Sequence, residues 1–394
     1  MTASVPVDSR GPAPAQPGLL RTLNNRVVLD LLIEHGTLSR SDVHTLTGLS
    51  KPTSSSLLQR LEESGLVRPS GLGETGPGGR APQLYRINPA AGYAAAVDVR
   101  PESVRVRIAD IAGTVVMERV DENDQSAEGP KSAAATIRSC CDEAGLSPAE
   151  LDAIVVSVPG SYDIATDTLS YVDHLPGWQH ASVGAELRML FPEASVAIEN
   201  DVNLAAIAER HAARGESESF FLFWLDDGVG GAIMIDGALH RGSRGAAGEA
   251  AFLLIPGAVF DAESRTEGAL ERIVGYQALR ALAADAGHEA ATAPEALRAL
   301  LDDPAAAPAV GELCHRYACA IVSVIALLDP ARIVLAGELA RLGGEKLRVE
   351  VARQLAEIMP TAPQLTVTVA TDTPILDGAM IMSLGIARDR VFTT

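Results

Sequence analysis

Apolar positions along the chain follow two regimes. From Asn24 to Gly65 they recur at helical spacing; beyond Tyr93 they gather into short strand-like blocks that alternate with helical stretches. In the first regime "NNRVVLDLLIEHG" sets Val28, Leu31 and Leu32 on one side of a helix that Gly36 stops. "LSRSDVHTLTG" follows, with Ser39 as cap, Asp42 three residues on, Val43 and Leu46 facing inward and Gly48 ending the turn. A third helix is predicted in "LSKPTSSSLLQRLEESG", capped by Ser50, with Pro52 in the first turn where a missing N–H costs little. Its buried side is Leu57, Leu58 and Leu61, and Gly65 closes it. Two short strands, "LVRPS" and "QLYRI", then flank the Gly-rich loop "GLGETGPGGRAP". Three helices and a hairpin in this order predict an N-terminal winged helix-turn-helix, an α+β module, over residues 20–88.

The start of the third helix exposes Lys51, Thr53, Ser54, Ser55 and Gln59, short polar groups and one cation of the kind that reach phosphates and base edges from the major groove. Three helices of this size also occur in protein-binding modules; the wing tips the choice to DNA. Arg80 stands at the base of the wing among glycines, suited to a narrow minor groove, where the negative potential is strongest.

The second regime makes two passes. "YAAAVDV", "VRVRIADIAG" and "GTVVMERV" read as a strand meander, "SAAATIRSCCDEAG" as a helix and "LDAIVVSVPG" as a buried strand. A second meander begins near "SFFLFWLDDGVGGAIMIDGALHRG" and leads to helices and the strand "ARIVLAG". This predicts a duplicated α/β body of two lobes with a cleft between them.

Charge divides the same way. The chain of 394 residues holds 32 basic and 51 acidic side chains; nine basic and seven acidic fall within the first ninety residues, which leaves 23 against 44 for the rest. An acidic body repels a polyanion, so DNA contact belongs to the N-terminal piece. Four cysteines do not make a disulfide framework, and Cys314, His315 and Cys319 lie in a helix-like apolar stretch whose spacing does not converge on one face, so no metal is expected. No apolar run reaches the length of a membrane span, and the Pro- and Ala-rich residues 1–19 lack the apolar core of a signal peptide; a disordered arm and a cytoplasmic location are expected.

Several segments together carry a resemblance: "GGRAPQLYRINPAAGYAAAVDV", "SVPGSYD", "LPGW", "IENDVNLAAIAE", "DGALHRGSRGAAGEAAFLL", "GALERIVG" and "LDPARIVLAG". In order and spacing the chain resembles the ROK family of repressors and sugar kinases from about Leu20 to Ala387. The resemblance implies a two-lobed sugar-kinase fold, of the actin-like ATPase and ribonuclease H-like kind, for residues 92–390. It implies that Asp201, beside Asn200, holds the position of the kinase base, and that Glu249 and Glu271 match carboxylates that accept hydrogen bonds from sugar hydroxyls. Each of the four could instead be a cap or a structural hydrogen-bond partner.

Departures from the family pattern point away from catalysis. Asp-x-Gly-Gly-Thr becomes Asp98-Val99-Arg100-Pro101-Glu102, Gly-Thr-Gly becomes Asp226-Asp227-Gly228, and Ala336 replaces a glycine. Proline removes an N–H donor, and the carboxylates set negative charge where phosphate would lie. Gly-Glu-x-Gly-His continues as Gly248-Glu249-Ala250-Ala251-Phe252, and the family's cysteine run is absent between Pro256 and Glu271, so the resemblance implies no zinc here and no other cofactor. The expectation is a homodimeric regulator of carbohydrate genes, commonly a repressor, that binds operator DNA and senses a sugar or sugar derivative in a degenerate kinase body. An active sugar kinase with a DNA-binding head, or a DNA-binding protein whose body only dimerises, are the alternatives.

Overall fold

The structure is a computed structural model that describes residues 17–393 except 75–80, 124–128, 173, 174, 176, 215–217, 227 and 260, with residues 17–20 described by backbone alone. The expected arm up to residue 16, Arg80 and Asp227 lie outside the described residues. By internal packing the chain forms two compact units. One holds the residues up to Tyr93 with Ala109–Val115 and Gly385–Thr394; the other holds Ala94–Ile108 and Val116–Leu384.

The first unit contains α1 (Pro17–His35), β1 (Leu38–Ser39), α2 (Arg40–Thr47), α3 (Lys51–Glu63), β2 (Val67–Leu72) and β3 (Gln83–Ile87). The strands form a small sheet in the order β1-β3-β2. Local chemistry sets the helix ends. Ser39 and Asp42 make a reciprocal capping box on α2, Gly48 ends it in the left-handed region at φ 71°, and the Ser50 hydroxyl accepts from the Thr53 N–H at 3.3 Å to start α3. Val28, Leu29, Leu32, Val43, Leu57, Leu58 and Leu61 form the core. Two inward assignments change. Leu31 is only half-buried because Leu29 takes the core side of α1, and Leu46 is 48% exposed because no element among the described residues covers that side of the two-turn α2.

The last turns of the C-terminal helix belong to this same unit. Arg26 on α1 is bonded to Asp30 at 2.9 Å and to Asp389, and stands 5.7 Å over the Phe392 ring. Arg388 donates to the Ile111 carbonyl at 3.0 Å. A linear boundary near residue 88 therefore misses part of the unit, since these contacts join segments more than 270 residues apart.

The second unit runs β4 (Tyr93–Val99), β5 (Ser103–Asp110), β6 (Val115–Glu122), α4 (Gly129–Ala144), β7 (Leu151–Val158), β8 (Ser161–Asp163), β9 (Thr168–Ser170), α5 (Val183–Leu190), β10 (Ser195–Asn200) and α6 (Asp201–Ala212). It continues with β11 (Phe220–Leu225), β12 (Val229–Ile235), β13 (Ala238–Leu239), α7 (Ser264–Glu267), α8 (Glu271–Val274), α9 (Tyr276–Asp285), α10 (Ala293–Asp302), α11 (Ala307–Leu328), β14 (Arg332–Ala336), α12 (Glu338–Ile358), β15 (Gln364–Val367) and α13 (Pro374–Thr393), whose end lies in the first unit. The sheets have the orders β10-β7-β4-β5-β6 and β13-β12-β11-β14-β15. In both, the first three strands of the pass form one side and the last two the other, so the duplication expected from the hydrophobic blocks is present.

Helix α11 is, by length and composition, apolar enough to cross a membrane, contrary to the reading that no apolar run is long enough. Its buried residues, among them Leu313, Tyr317, Ile321 and Val324, belong to the core against the second sheet, which accounts for part of the apolarity, while Leu327 near its end is exposed.

At the far end of α6 the fully buried carboxylate of Glu209 faces Arg332 at 3.4 Å. It also accepts from the Thr368 hydroxyl at 2.7 Å and from the N–H groups of Val369 and Ala370. Four donors satisfy a charge that would otherwise be costly to bury. Nearer its middle α6 meets α13 so closely that a Cβ on Gly378 would lie 1.8 Å from the Leu204 carbonyl oxygen, whereas Gly385 in the same helix faces open space. Gly378→Ala is therefore expected to lower unfolding free energy by about 1–3 kcal/mol through overpacking. Gly385→Ala should be neutral or stabilising by up to about 1 kcal/mol. Urea denaturation of both variants checks the pair, and equal effects would refute the close crossing.

Candidate functional site

On the first unit, α3 presents Lys51, Thr53, Ser56, Gln59 and Arg60 to solvent, with Ser55 half-buried. Ser54 has to be removed from the DNA-facing set. It is fully buried, and its hydroxyl donates to the Ser50 carbonyl one turn back at 3.2 Å. Thr53 is exposed with its hydroxyl 2.7 Å from that of Ser50, and Gln59 donates to Glu63 at 2.9 Å. Ser56 and Arg60, joined at 2.9 Å, lie one helical turn apart on the exposed side and were not singled out from sequence.

The hairpin adds a second feature that sequence reading missed. Strands β2 and β3 pair Arg68 directly with Arg86, and both side chains are exposed. Like charges placed opposite each other across a ladder destabilise it. Two guanidinium groups side by side on a wing are the arrangement a phosphate would neutralise. Arg40 is braced against the same sheet, donating to the Tyr85 hydroxyl at 2.8 Å.

Within the second unit, the four residues expected to meet a sugar gather around the start of β12. Gly231 and Gly248 pass so closely that a Cβ on either would come within 3 Å of the other's carbonyl oxygen, which brings Glu249 against the strand. Val202, next to Asp201, packs on Gly230, and Glu271 accepts from the Val229 N–H at 2.6 Å. Asn200 is the N-cap of α6. Its oxygen accepts from the Asn203 N–H at 3.0 Å, and its amide donates to Gly160 at 3.2 Å and to Asp201 at 3.0 Å. Asp201 also accepts from the Val202 N–H at 2.8 Å. Behind them stands Glu199, not singled out from sequence. It is buried, accepts from Asn203 at 2.8 Å and is paired with Arg241 at 2.6 Å, so it fixes the first turn of α6.

Asn200 and Glu271 thus serve the protein's own backbone. Glu249 does not: its half-buried carboxylate has no hydrogen-bond or ion-pair partner among the described residues, and burial alone pushes its pKa above the ordinary glutamate value.

A cavity of about 760 Å³ opens elsewhere in this unit, and none of those four residues lines it. Asp98 and Arg100 at the end of β4, Asp226 after β11, and Glu338 and Arg341 at the start of α12 form its walls, with Arg298. Of the carboxylates expected to face phosphate, Asp226 lines this cavity, but basic groups line it too. Guanidinium groups brought in from separate segments offset the carboxylates: Arg100 pairs with Asp98 at 3.0 Å and Arg341 with Asp372 at 2.7 Å. Glu102 is exposed and is not among the lining residues. Asp226, however, accepts from the Glu338 N–H at 3.4 Å, and the Tyr276 hydroxyl lies 3.3 Å from both the Asp226 and Glu338 carboxylates. A protein carboxylate thus holds the N-terminus of α12, the kind of position where an anion would otherwise bind.

The raised pKa of Glu249 gives a linkage test. In the folded state its protonated form is favoured; that contribution is complete below the ordinary glutamate pKa and is lost as pH rises through the higher folded value. Glu249→Gln is therefore expected to raise Tm near pH 7, with the gain vanishing on acidification below the ordinary carboxylate range. Thermal melts at both ends of that window measure it, and an equal effect at every pH would show that the carboxylate is not desolvated.

Comparison with known proteins agrees with both units. The model of the IclR helix-turn-helix domain matches residues 27–71. The chain is 26% identical over 235 residues to the xylose repressor of Caldicellulosiruptor bescii, covering 59% of this chain and 58% of that protein. It is also 26% identical over 239 residues to the xylose repressor of Bacillus subtilis, covering 60% and 61%. These alignments span about three fifths of each relative's length. Among solved structures, a ROK family transcriptional regulator homologous to the E. coli MLC protein shares the fold at TM-score 0.73 and 18% identity, covering 95% of this chain and all of that one. The ROK hexokinase of Thermus thermophilus does so at TM-score 0.63 and 24% identity, covering 75% and 99%. The ROK family model itself matches residues 95–385, well over half of the sequence, and the chain belongs to the ROK family.

Proposed function

We propose that this chain is a cytoplasmic, homodimeric DNA-binding repressor of carbohydrate genes whose body senses a small sugar and transfers no phosphoryl group. The observation that carries the reading is the directly opposed Arg68 and Arg86 on the wing, beside a helix that exposes Lys51 and Arg60. Such a cluster has no stabilising role in the isolated unit and an evident one against a phosphate backbone. The names of the xylose repressors support a sugar as effector and repression as the mode. Two heads related by a two-fold axis would match paired half-sites, and a sugar that binds one arrangement of them better than the other would release the operator by that difference in affinity.

Against catalysis stand Pro101, which offers no N–H at the first phosphate loop, and Asp226, which takes the N–H of Glu338 at the start of α12. Asp201 then keeps the place of a kinase base without a bound nucleotide to serve. MgATP with any hexose or pentose is expected to give no sugar phosphate.

The direct test uses operator fragments selected from random DNA, over a range of salt concentrations. Lys51→Ala, Arg68→Ala and Arg86→Ala should each weaken binding across operator variants and reduce the salt slope by about one. Arg80→Ala should mainly lower the preference for A·T-rich flanks. Asp201→Ala should bind the operator as the unaltered protein does but resist release by D-xylose or another sugar that acts on it. Unchanged affinity in all the basic-residue variants would remove the head as the DNA reader, and ATP-dependent turnover of a sugar lost on Asp201→Ala would make the chain a kinase.

A further inference from the structure

The site around β12 has an aromatic side that none of the expected sugar-binding residues accounts for. Tyr171 follows β9 directly. Its backbone lies at φ 62°, in the left-handed region that bulky residues rarely adopt, and its side chain remains 45% exposed. The ring rests against Phe252, with centroids 5.0 Å apart and planes tilted by 46°. A strained, exposed tyrosine adds little to a core, so stability does not explain its position.

Its neighbours indicate a use. Ser161 pairs with Ser170 across the β8–β9 hairpin, which puts Gly160 and Tyr171 at the same end; Gly160 accepts the Asn200 amide. On the other side Phe252 closes a turn that begins at Glu249, its N–H donating to the Glu249 carbonyl at 3.3 Å. The segments that carry the two rings are thus tied to Asn200, next to Asp201, and to Glu249, whose carboxylate has no partner among the described residues. Saccharides have hydroxyls around the rim and C–H groups on the faces. A carboxylate accepts from the rim, and an aromatic ring packs against the face.

We infer that Tyr171 and Phe252 form a stacking platform for the C–H face of a neutral pyranose, and that the carboxylates of Asp201 and Glu249 exclude phosphorylated or acidic sugars from it. The inference rests on the sugar-sensing reading above and names residues and a ligand class for that site.

The test titrates D-xylose, D-glucose, N-acetyl-D-glucosamine and glucose 6-phosphate into the full chain, by calorimetry and by proton NMR of the sugar. At least one neutral sugar should bind while the phosphate ester does not. Ring current should move the C–H protons of one sugar face upfield. Tyr171→Ala and Phe252→Ala should each weaken that binding about tenfold and remove the upfield shift, while Tyr171→Phe retains both. Phe252→Leu preserves bulk without a ring, and its shift should also be lost, so a folding defect in the alanine variant cannot decide the matter. If a neutral sugar binds and Asp201→Ala abolishes binding, but the aromatic variants bind like the unaltered protein and no proton moves upfield, the platform is refuted and the sugar reading survives. If glucose 6-phosphate binds in preference to the neutral sugars, the proposed selectivity is refuted. If none of the four binds, the sugar-sensing reading falls, and the platform with it.

Discussion

The geometry of the candidate sugar site depends on one backbone contact, the approach of Gly231 in β12 to Gly248 in the segment before Glu249. A Cβ at Gly231 or Gly248 would lie 2.8 or 2.4 Å from the other's carbonyl oxygen and force the two segments apart. With both absent, Glu249 is held against the same short stretch of β12 that touches Val202 and hydrogen-bonds Glu271. Four polar residues from three distant segments thereby meet, with Asn200 bonded to Asp201 and Glu271 to the Val229 N–H. The rigidity comes from packed backbone, and side-chain polarity is left for other uses.

Helix α6 takes its position from both ends. At the start, Asn200 caps it while Glu199 ties Asn203 and Arg241 together; at the other end Glu209 is held by Arg332, the Thr368 hydroxyl and the backbone N–H groups of Val369 and Ala370. A helix of twelve residues is marginal on its own, and here tertiary contacts set its place. A shift of Asp201 on ligand binding would have to be accommodated along the whole helix, because the buried Glu209 charge cannot give up its donors cheaply.

What could be read from sequence follows from how local the physics is. The Ser39–Asp42 box, the Ser50 cap and the Gly48 stop involve neighbours within four residues, and all three stand as expected. The duplicated sheet was legible because buried strands leave continuous apolar blocks. Leu46 was misjudged because a helical pattern gives a face and not what covers it, and Ser54 because its hydroxyl turns back to its own helix. Arg68 opposite Arg86 required the strand register. The guanidinium groups of the cleft required Arg100, Arg298 and Arg341 to meet from three separate segments. Tyr171 on Phe252 joins residues some eighty positions apart, beyond the reach of any period or motif.

The two acidic regions of the body differ in one physical respect that bears on function. Around the cavity, negative groups are answered from within: Asp98 by Arg100, Asp226 by the Glu338 N–H and the Tyr276 hydroxyl, Asp372 by Arg341. An incoming phosphate would have to break these pairings and face the released carboxylates. Beside β12 the reverse holds: Glu249 is partly withdrawn from water with no donor in exchange among the described residues. A partly desolvated carboxylate without a donor lowers the stability of the free protein and raises the gain from a hydroxyl that arrives to meet it. On the proposed reading the body therefore rewards sugar and resists nucleotide, and a sugar kept unreacted can report its concentration to the head without being consumed.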